Sequence, residues 1–244
     1  MPRLLHLTDL GCRDFEEVRA LQERLVELRR AERIPDTLLF CSHPPVVTAG
    51  RATTAAELSA ARAALAPAGI PLLPCERGGR LTYHGPGQVI LYPLLRLEGA
   101  ERDLHAFQRG LEETAVTALE ELGVAARRRP GHPGVWIGPA KLASVGLAVR
   151  GWVTWHGLAL NVSGDLSPFD LFHPCGITGL TVTSLERVTG QVTDRRRLQD
   201  LLAAAFCHRF RREGRQVGPG ELCRQEVAGI QEPLPPPMCH YWWE

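Results

Sequence analysis

Of the seven cysteines in the chain, Cys175 alone sits in a turn made for access, His173-Pro174-Cys175-Gly176-Ile177-Thr178-Gly179. A thiol followed by glycine in a loop can be reached by a substrate, and the Gly176 amide is free to face a developing oxyanion. Cys12, Cys41, Cys75, Cys207, Cys223 and Cys239 lack that setting and read as small buried hydrophobes. Lys141 is the second anomaly: it is the only lysine, in a chain that otherwise uses arginine. Arginine cannot release its proton at working pH, so a lone lysine opening the apolar run Leu142 to Leu147 points to an amine that must. The third feature runs from Arg77 to Pro93, with four glycines, Arg77, Arg80, Thr82, Tyr83 and His84 before the apolar run Val89 to Tyr92. Glycine is favoured where backbone approaches a ligand closely, so this stretch reads as a shaped loop feeding a strand.

Other chemistries lack their signatures. Cys41 lies near His43, His173 near Cys175, and Cys239 beside His240, yet there is no Cys-x-x-Cys and no histidine pair at ligand spacing, so no metal site is expected. A Gly-x-Ser-x-Gly nucleophile elbow and a Gly-x-x-x-x-Gly-Lys-Ser/Thr phosphate loop are both missing. What remains is thiol chemistry.

The elements that must position these residues can be read from periodicity and caps. Asp14 with Glu17 starts a helix whose apolar face is Phe15, Val18, Leu21, Leu25 and Leu28. Thr37 to Cys41 reads as a strand leaving through His43-Pro44-Pro45. Thr54 and Glu57 form a capping box for an alanine-rich helix to about Ala66, and Ile70 to Leu73 is a short strand. Asp103 caps a helix with Leu104, Phe107, Leu111, Ala115, Leu119 and Leu122 on one face, and Gly123 ends it. Short β-like runs follow at Val135 to Ile137, Leu142 to Val149, Trp152 to Val162 and Leu180 to Leu185, before a last helix at about Arg195 to Phe210. Helices followed by hairpins predict an α/β fold of the α+β type with mixed sheets, not a doubly wound parallel one. A single domain is expected over 1–216, with a Pro/Gly-rich tail over 217–244.

Composition, 44% hydrophobic and 23% charged with a formal net charge of +1, is that of a globular chain with no global field for nucleic acid or membrane. Arg127-Arg128-Arg129 and Arg195-Arg196-Arg197 are local basic clusters. No run approaches a membrane span or a signal peptide. An odd number of unpaired-looking cysteines fits free thiols in a reducing compartment, so a cytoplasmic location is expected.

Together these motifs resemble the bacterial lipoyl(octanoyl) transferase family. The likeness is carried by Arg77-Gly78-Gly79 through Thr82, His84, Pro86-Gly87-Gln88 and Tyr92-Pro93; by Pro133-Gly134-Val135-Trp136; by Lys141 through Gly146; by His156-Gly157-Leu158-Ala159-Leu160-Asn161; and by Pro174-Cys175-Gly176. They occur in series over roughly Thr48 to Leu185. The resemblance implies a fold similar to the catalytic domains of biotin and lipoate ligases. It implies an enzyme that moves an octanoyl group from acyl carrier protein to a lysine of lipoyl domains, those of 2-oxoacid dehydrogenase E2 subunits and of the glycine cleavage H protein. Cys175 would be the acyl-thioester nucleophile and Lys141 the group that lowers its pKa. Arg77, Gly78, Gly79, Arg80, Leu81, Thr82, Tyr83, His84, Ser144, Val145, Gly146, Gly157, Leu158 and Ala159 would line the acyl-substrate site, with His156 as an auxiliary. No cofactor is implied beyond the carrier's phosphopantetheine. Two rivals share the scaffold: an ATP-dependent lipoate or biotin ligase, which needs no cysteine nucleophile, and a non-enzymatic carrier-binding module, which would not need both Lys141 and Cys175.

Overall fold

A computed structural model describes residues 2–176 and 179–222; the side chain of Cys175 lies outside the described part. In chain order the elements are β1 (Arg3–Cys12), α1 (Phe15–Arg30), β2 (Asp36–Ser42), β3 (Val46–Ala49), α2 (Ala55–Leu65), β4 (Leu72–Pro74), β5 (Leu81–His84) and β6 (Gln88–Leu94). They continue with α3 (Leu104–Glu120), β7 (Arg127–Arg129), β8 (His132–Ile137), β9 (Ala140–Arg150), β10 (Val153–Asn161), α4 (Leu185–Thr189), α5 (Arg195–Phe210) and β11 (Arg212–Gln216).

Strands covered on both faces need apolar side chains at every position rather than at alternate ones. β2, β6 and β10 are mostly apolar, are buried throughout, and lie side by side at the centre of an eight-stranded sheet ordered β11-β1-β2-β6-β10-β9-β8-β7. β1 pairs parallel with β2 and β11 while the other pairings are antiparallel, so the sheet is mixed. α3 and α5 cover one face through Phe107, Leu111, Leu119, Leu198, Leu202 and Phe206. α1 covers the other through Val18, Leu21, Leu25 and Val26. A second sheet, β4-β3-β5, packs with α2 and Phe169 around a separate small core.

Local caps behave as their sequences dictate. Asp14 accepts from the Glu16 and Glu17 amides, Thr54 and Glu57 make both arms of a capping box, and Asp103 accepts from the Ala106 amide. Buried Asp36 ties α1 to β11, accepting from Arg29 Nε at 2.7 Å and from Arg212 Nε at 2.8 Å.

Three expectations are corrected. The run Leu180 to Leu185 is no strand: only Val182 makes a bridge, to Lys141, and Leu185 opens α4, capped by the Ser184 hydroxyl and stopped by Gly190 at positive φ. The start of the expected tail is part of the packed structure, since the Val217 amide donates to Leu7 O, Val217 O accepts from Thr8 Oγ1, and Val217 and Leu222 are buried in the core under α1. Residues 223–244, with Cys223 and Cys239, lie outside the described part. Cys41, Cys75 and Cys207 are free thiols, but Cys12 is disulfide-bonded, contrary to the expectation that every thiol is free. No described helix is long and apolar enough to cross a membrane.

Candidate active site

The glycine-rich stretch faces β9 and β10 across a cleft of about 610 Å³, within the range of about 300–1,000 Å³ usual for small-molecule sites. The two walls are stitched together where the Gly78 amide donates to Leu147 O at 2.8 Å and where Thr82 Oγ1 approaches Ser144 Oγ at 3.5 Å. Arg77, Gly78, Gly79, Arg80, Leu81, Thr82 and His84 line one wall, and Ser144, Val145, Gly146, His156, Gly157, Leu158 and Ala159 the other, with Lys141. Tyr83 is the exception. Alternation along β5 sends its ring into the small core, edge-on to Phe169 at 5.5 Å, while Thr82 and His84 face the cleft.

Arg77 is held in place as a brace. Its guanidinium donates to Thr48 O at 2.7 Å, to Thr48 Oγ1 at 2.9 Å and to Gly78 O at 3.1 Å. From Thr48 a chain of buried polar contacts continues: Thr48 Oγ1 to His84 Nε2 at 3.3 Å, His84 Nδ1 to Gln88 Oε1 at 3.3 Å, and Gln88 Nε2 donating to Asn161 Oδ1 at 2.8 Å. Gln88 Nε2 also donates to Tyr83 O, so the Gln88 amide oxygen is left to accept from His84 Nδ1, and His84 Nε2 is the acceptor for the Thr48 hydroxyl. Burial, with His43 and Arg77 nearby, keeps His84 neutral by pushing its pKa well below the usual value. Asn161 Nδ2 in turn donates to Thr183 O at 3.1 Å.

That last contact leads to Lys141. The Lys141 amide donates to Thr181 O and its carbonyl accepts from the Thr183 amide, both at 2.9 Å, so the segment leaving the Pro174–Gly176 turn is clipped to the lysine's own backbone. At the end of that turn, Gly176 takes φ +69 with its backbone under the Arg80 side chain; an added Cβ would stand 2.6 Å from Arg80 Cδ. The turn that carries Cys175 is thus tied at its exit to Lys141 and pressed at Gly176 against the glycine-rich wall. Lys141 is almost fully buried, and its ammonium lies 5.5 Å from the centroid of the Trp136 ring, a distance suited to a cation–π contact.

His156 occupies the far end of the cleft. Pro93 has no amide to give β10 at this level of β6, and His156 takes φ +55, its own amide donating at 2.8 Å to Oε1 of Gln22 on α1. The ring stacks on Trp155 at 4.4 Å and faces Glu76 at 3.6 Å, a contact too long for a hydrogen bond. Burial lowers the His156 pKa despite that carboxylate, whereas the imidazole and Arg19 hold Glu76 down to about 2.

Several residues of this cleft were given no place at the site by the sequence. Phe15, Tyr92 and Trp136 line it, as do Leu104, His105 and Gln108 from the start of α3. His43 backs it, with Nδ1 2.7 Å from Arg13 O and Nε2 2.9 Å from Tyr92 Oη, its ring edge-on to His84. Phe15 and His43 were legible only as a helix-face residue and as the exit of a strand. Trp136 sits in a motif that was quoted, without a role.

A family model described as the lipoyl protein ligase A/B catalytic domain matches residues 14–207. Octanoyltransferases from Syntrophotalea carbinolica and Geobacter metallireducens are 46% and 44% identical over 187 and 185 residues, 77% and 76% of this chain and 85% and 84% of theirs. The crystal structure of a lipoate-protein ligase A bound with ATP superposes with a TM-score of 0.72 at 18% identity, covering 93% of this chain and 94% of the other. That likeness concerns the fold alone. The chain belongs to the lipoyl protein ligase A/B catalytic domain family and, within it, to the octanoyltransferases.

Proposed function

We propose that the protein carries octanoyl from the phosphopantetheine thioester of acyl carrier protein to a lysine of lipoyl domains, those of E2 subunits and of the glycine cleavage H protein, through an acyl-thioester on Cys175. The Cys175 thiolate attacks the carrier thioester. The carbon–sulfur bond to pantetheine breaks, and the departing thiol takes its proton from the Lys141 ammonium. In the second half the neutral amine of the incoming lysine attacks the Cys175 thioester, the Cys175 thiolate leaves, and Lys141 takes up the proton the new amide sheds. Both halves pass through an oxyanion, for which each preorganised donor is worth about 3 kcal/mol on general precedent; the Gly176 amide, expected to be free for this role, donates instead to His173 O at 3.0 Å. The acyl group arrives already activated, so no further cofactor is called for, and the reaction is one of the cytoplasm.

The observation that carries this reading is the double clip between Lys141 and the segment after the Cys175 turn, at 2.9 Å on both sides of the residue, beside a cleft whose other wall is the glycine-rich stretch. A ligase on the same fold would activate a free acid with ATP and use no thiol. Incubation with octanoyl-carrier in the absence of ATP, followed by intact-mass and peptide mapping, separates the readings. A labile octanoyl adduct on Cys175, lost in Cys175→Ala, is the expected result; adduct formation that survives Cys175→Ala, or that appears only with ATP and free octanoate, overturns it.

A further inference from the structure

The hairpin of β7 and β8 meets α3 at a buried carboxylate that the reaction as written does not use. Glu112, on α3, is 4% exposed and accepts three donors: the Gly134 amide at 2.9 Å, Arg128 Nε at 2.8 Å and Gln108 Nε2 at 3.3 Å. Gly134 lies on β8 between two register shifts, one against β7 at Arg128/Arg129 and one against β9 at Val135/Trp136. Regular pairing therefore does not fix its position, and the Glu112 carboxylate takes the place of a ladder acceptor. What Gly134 touches gives this consequence. It has φ +126, and an added Cβ would stand 2.6 Å from Lys141 Cε and closer still to Ala143 O. The Gly134 backbone is thus one side of the mould around the lysine stem, and Trp136, whose Nε1 donates to His132 O at 3.0 Å, is the side facing the ammonium.

We propose that Glu112 is a positioning residue for Lys141: by holding the Gly134 amide, it sets the wall that fixes where the lysine amine sits in the cleft. Its charge is balanced by Arg128, which also reaches Glu113 at 3.0 Å. The carboxylate is suited to the task because one oxygen takes the glycine amide while the other takes the guanidinium. The inference rests on the reading that Lys141 moves the protons of the transfer.

The test is a cycle with Lys141→Ala, followed by single-turnover acylation from octanoyl-carrier and by steady-state transfer to a lipoyl domain. Glu112→Leu fills similar space without an acceptor; displacement of a reacting group by ~1 Å costs up to about 10²-fold, so kcat falls by about tenfold or more while KM for carrier stays within about twofold. Glu112→Gln keeps an oxygen for the Gly134 amide and restores most of that loss. In the Lys141→Ala background Glu112→Leu costs less than about threefold, because the group it positions is gone. Gly134→Ala moves the same wall without touching Glu112, carries the same expectations, and replaces Glu112→Leu if that variant is too unstable to assay. A loss expressed in KM, no loss at all, or the same fold-loss with and without Lys141 overturns the proposal. Wild-type acylation and transfer by Lys141→Ala itself would instead sink the underlying reading of the lysine, before Glu112 is considered.

Discussion

Acid should loosen this fold from the back of the cleft, and the size of the effect follows from one buried ring. His43 Nδ1 faces Arg13 O, which only accepts, so Nδ1 carries the proton and Nε2 accepts from the Tyr92 hydroxyl. The residue is wholly buried, and that burial lowers its pKa from 6.5 to about 4. Above the unfolded value both states are neutral and His43 contributes nothing to the pH dependence. Between about 6.5 and about 4 the unfolded chain binds a proton that the native state refuses, so stability falls by about 1.4 kcal/mol per pH unit, to a total of about 3 kcal/mol. His84, lowered by burial and by His43 beside it, acts in the same direction, as does His156. Glu76 belongs to a lower window: its depressed pKa stabilises the fold above about 4.5, and that contribution is lost as pH falls towards about 2. The interval from about pH 6.5 to about pH 5 therefore isolates the histidines. Urea unfolding at about pH 7, 6 and 5 should show a steep loss for the wild-type chain, with His43 accounting for roughly 2 kcal/mol of it. His43→Phe loses two hydrogen bonds and is less stable at every pH, but its slope should be shallower by about one proton. An unchanged slope in that variant would refute the assignment of a refused proton to His43.

Three further outcomes can be stated briefly. Lys141→Arg keeps a cation at this position yet cannot return a proton, so, on the proposed mechanism, acyl-enzyme should form slowly and transfer to the lipoyl domain should stall in rapid-quench mass spectrometry; transfer from preformed acyl-enzyme at the wild-type rate would exclude Lys141 as the second-step base. Of the two basic clusters, Arg127 to Arg129 form the edge strand beside the hairpin turn that lines the cleft mouth, whereas Arg195 donates to Gln88 O and Arg196 pairs with Asp200. Carrier KM at low salt should accordingly rise by about tenfold in an Arg127→Glu/Arg129→Glu variant and much less in Arg196→Glu/Arg197→Glu, and equal effects of the two would remove the edge strand as the steering site. Gly157→Ala brings a Cβ against Leu91 O and Pro93 Cδ at the floor of the cleft; thermal melts should show a loss of about 1–3 kcal/mol from overpacking, and an unchanged melting point would mean that β10 can shift to make room.

What could be read from the sequence was what is decided locally. The caps at Asp14, Thr54 and Asp103 and the apolar runs of β2, β6 and β10 depend on residues within one turn or one strand, and they stand where they were expected. β11 was not legible, because Arg212–Gln216 is polar and owes its strand to parallel pairing with β1 far away in the chain. Ser184 with Gly190 carried the signal for α4, but Thr181 and Val182 made the stretch look like a strand; the tertiary clip to Lys141 uses that extended form for one bridge only. Tyr83 could have been separated from its neighbours by strand parity, since Thr82 and His84 share one face of β5. Leu81, of Tyr83's parity, is shared between the cleft and the small core.

The site shows the same division more sharply. Its anomalous residues were visible because they are improbable where they stand: a single lysine among arginines, a cysteine in a proline-glycine turn, an arginine and a histidine framing glycines. The parts that give those residues their geometry are ordinary types, and nothing local distinguishes them. A glutamate at a helical position facing the core would be read as a surface residue, yet Glu112 takes the place of the strand partner that Gly134 lacks. A glutamine on the buried face of α1 likewise accepts the His156 amide, where His156 leaves regular strand geometry at φ +55. In both places a helix supplies an acceptor to a strand whose ladder has been interrupted beside the cleft. The interruptions turn side chains into the cleft that regular pairing would hold in line, and the helical acceptors keep the irregular backbone from costing the fold an unpaired amide. The candidate residues of the site can then be few, because long-range contacts from α1 and α3 hold the backbone beside Lys141 and at His156.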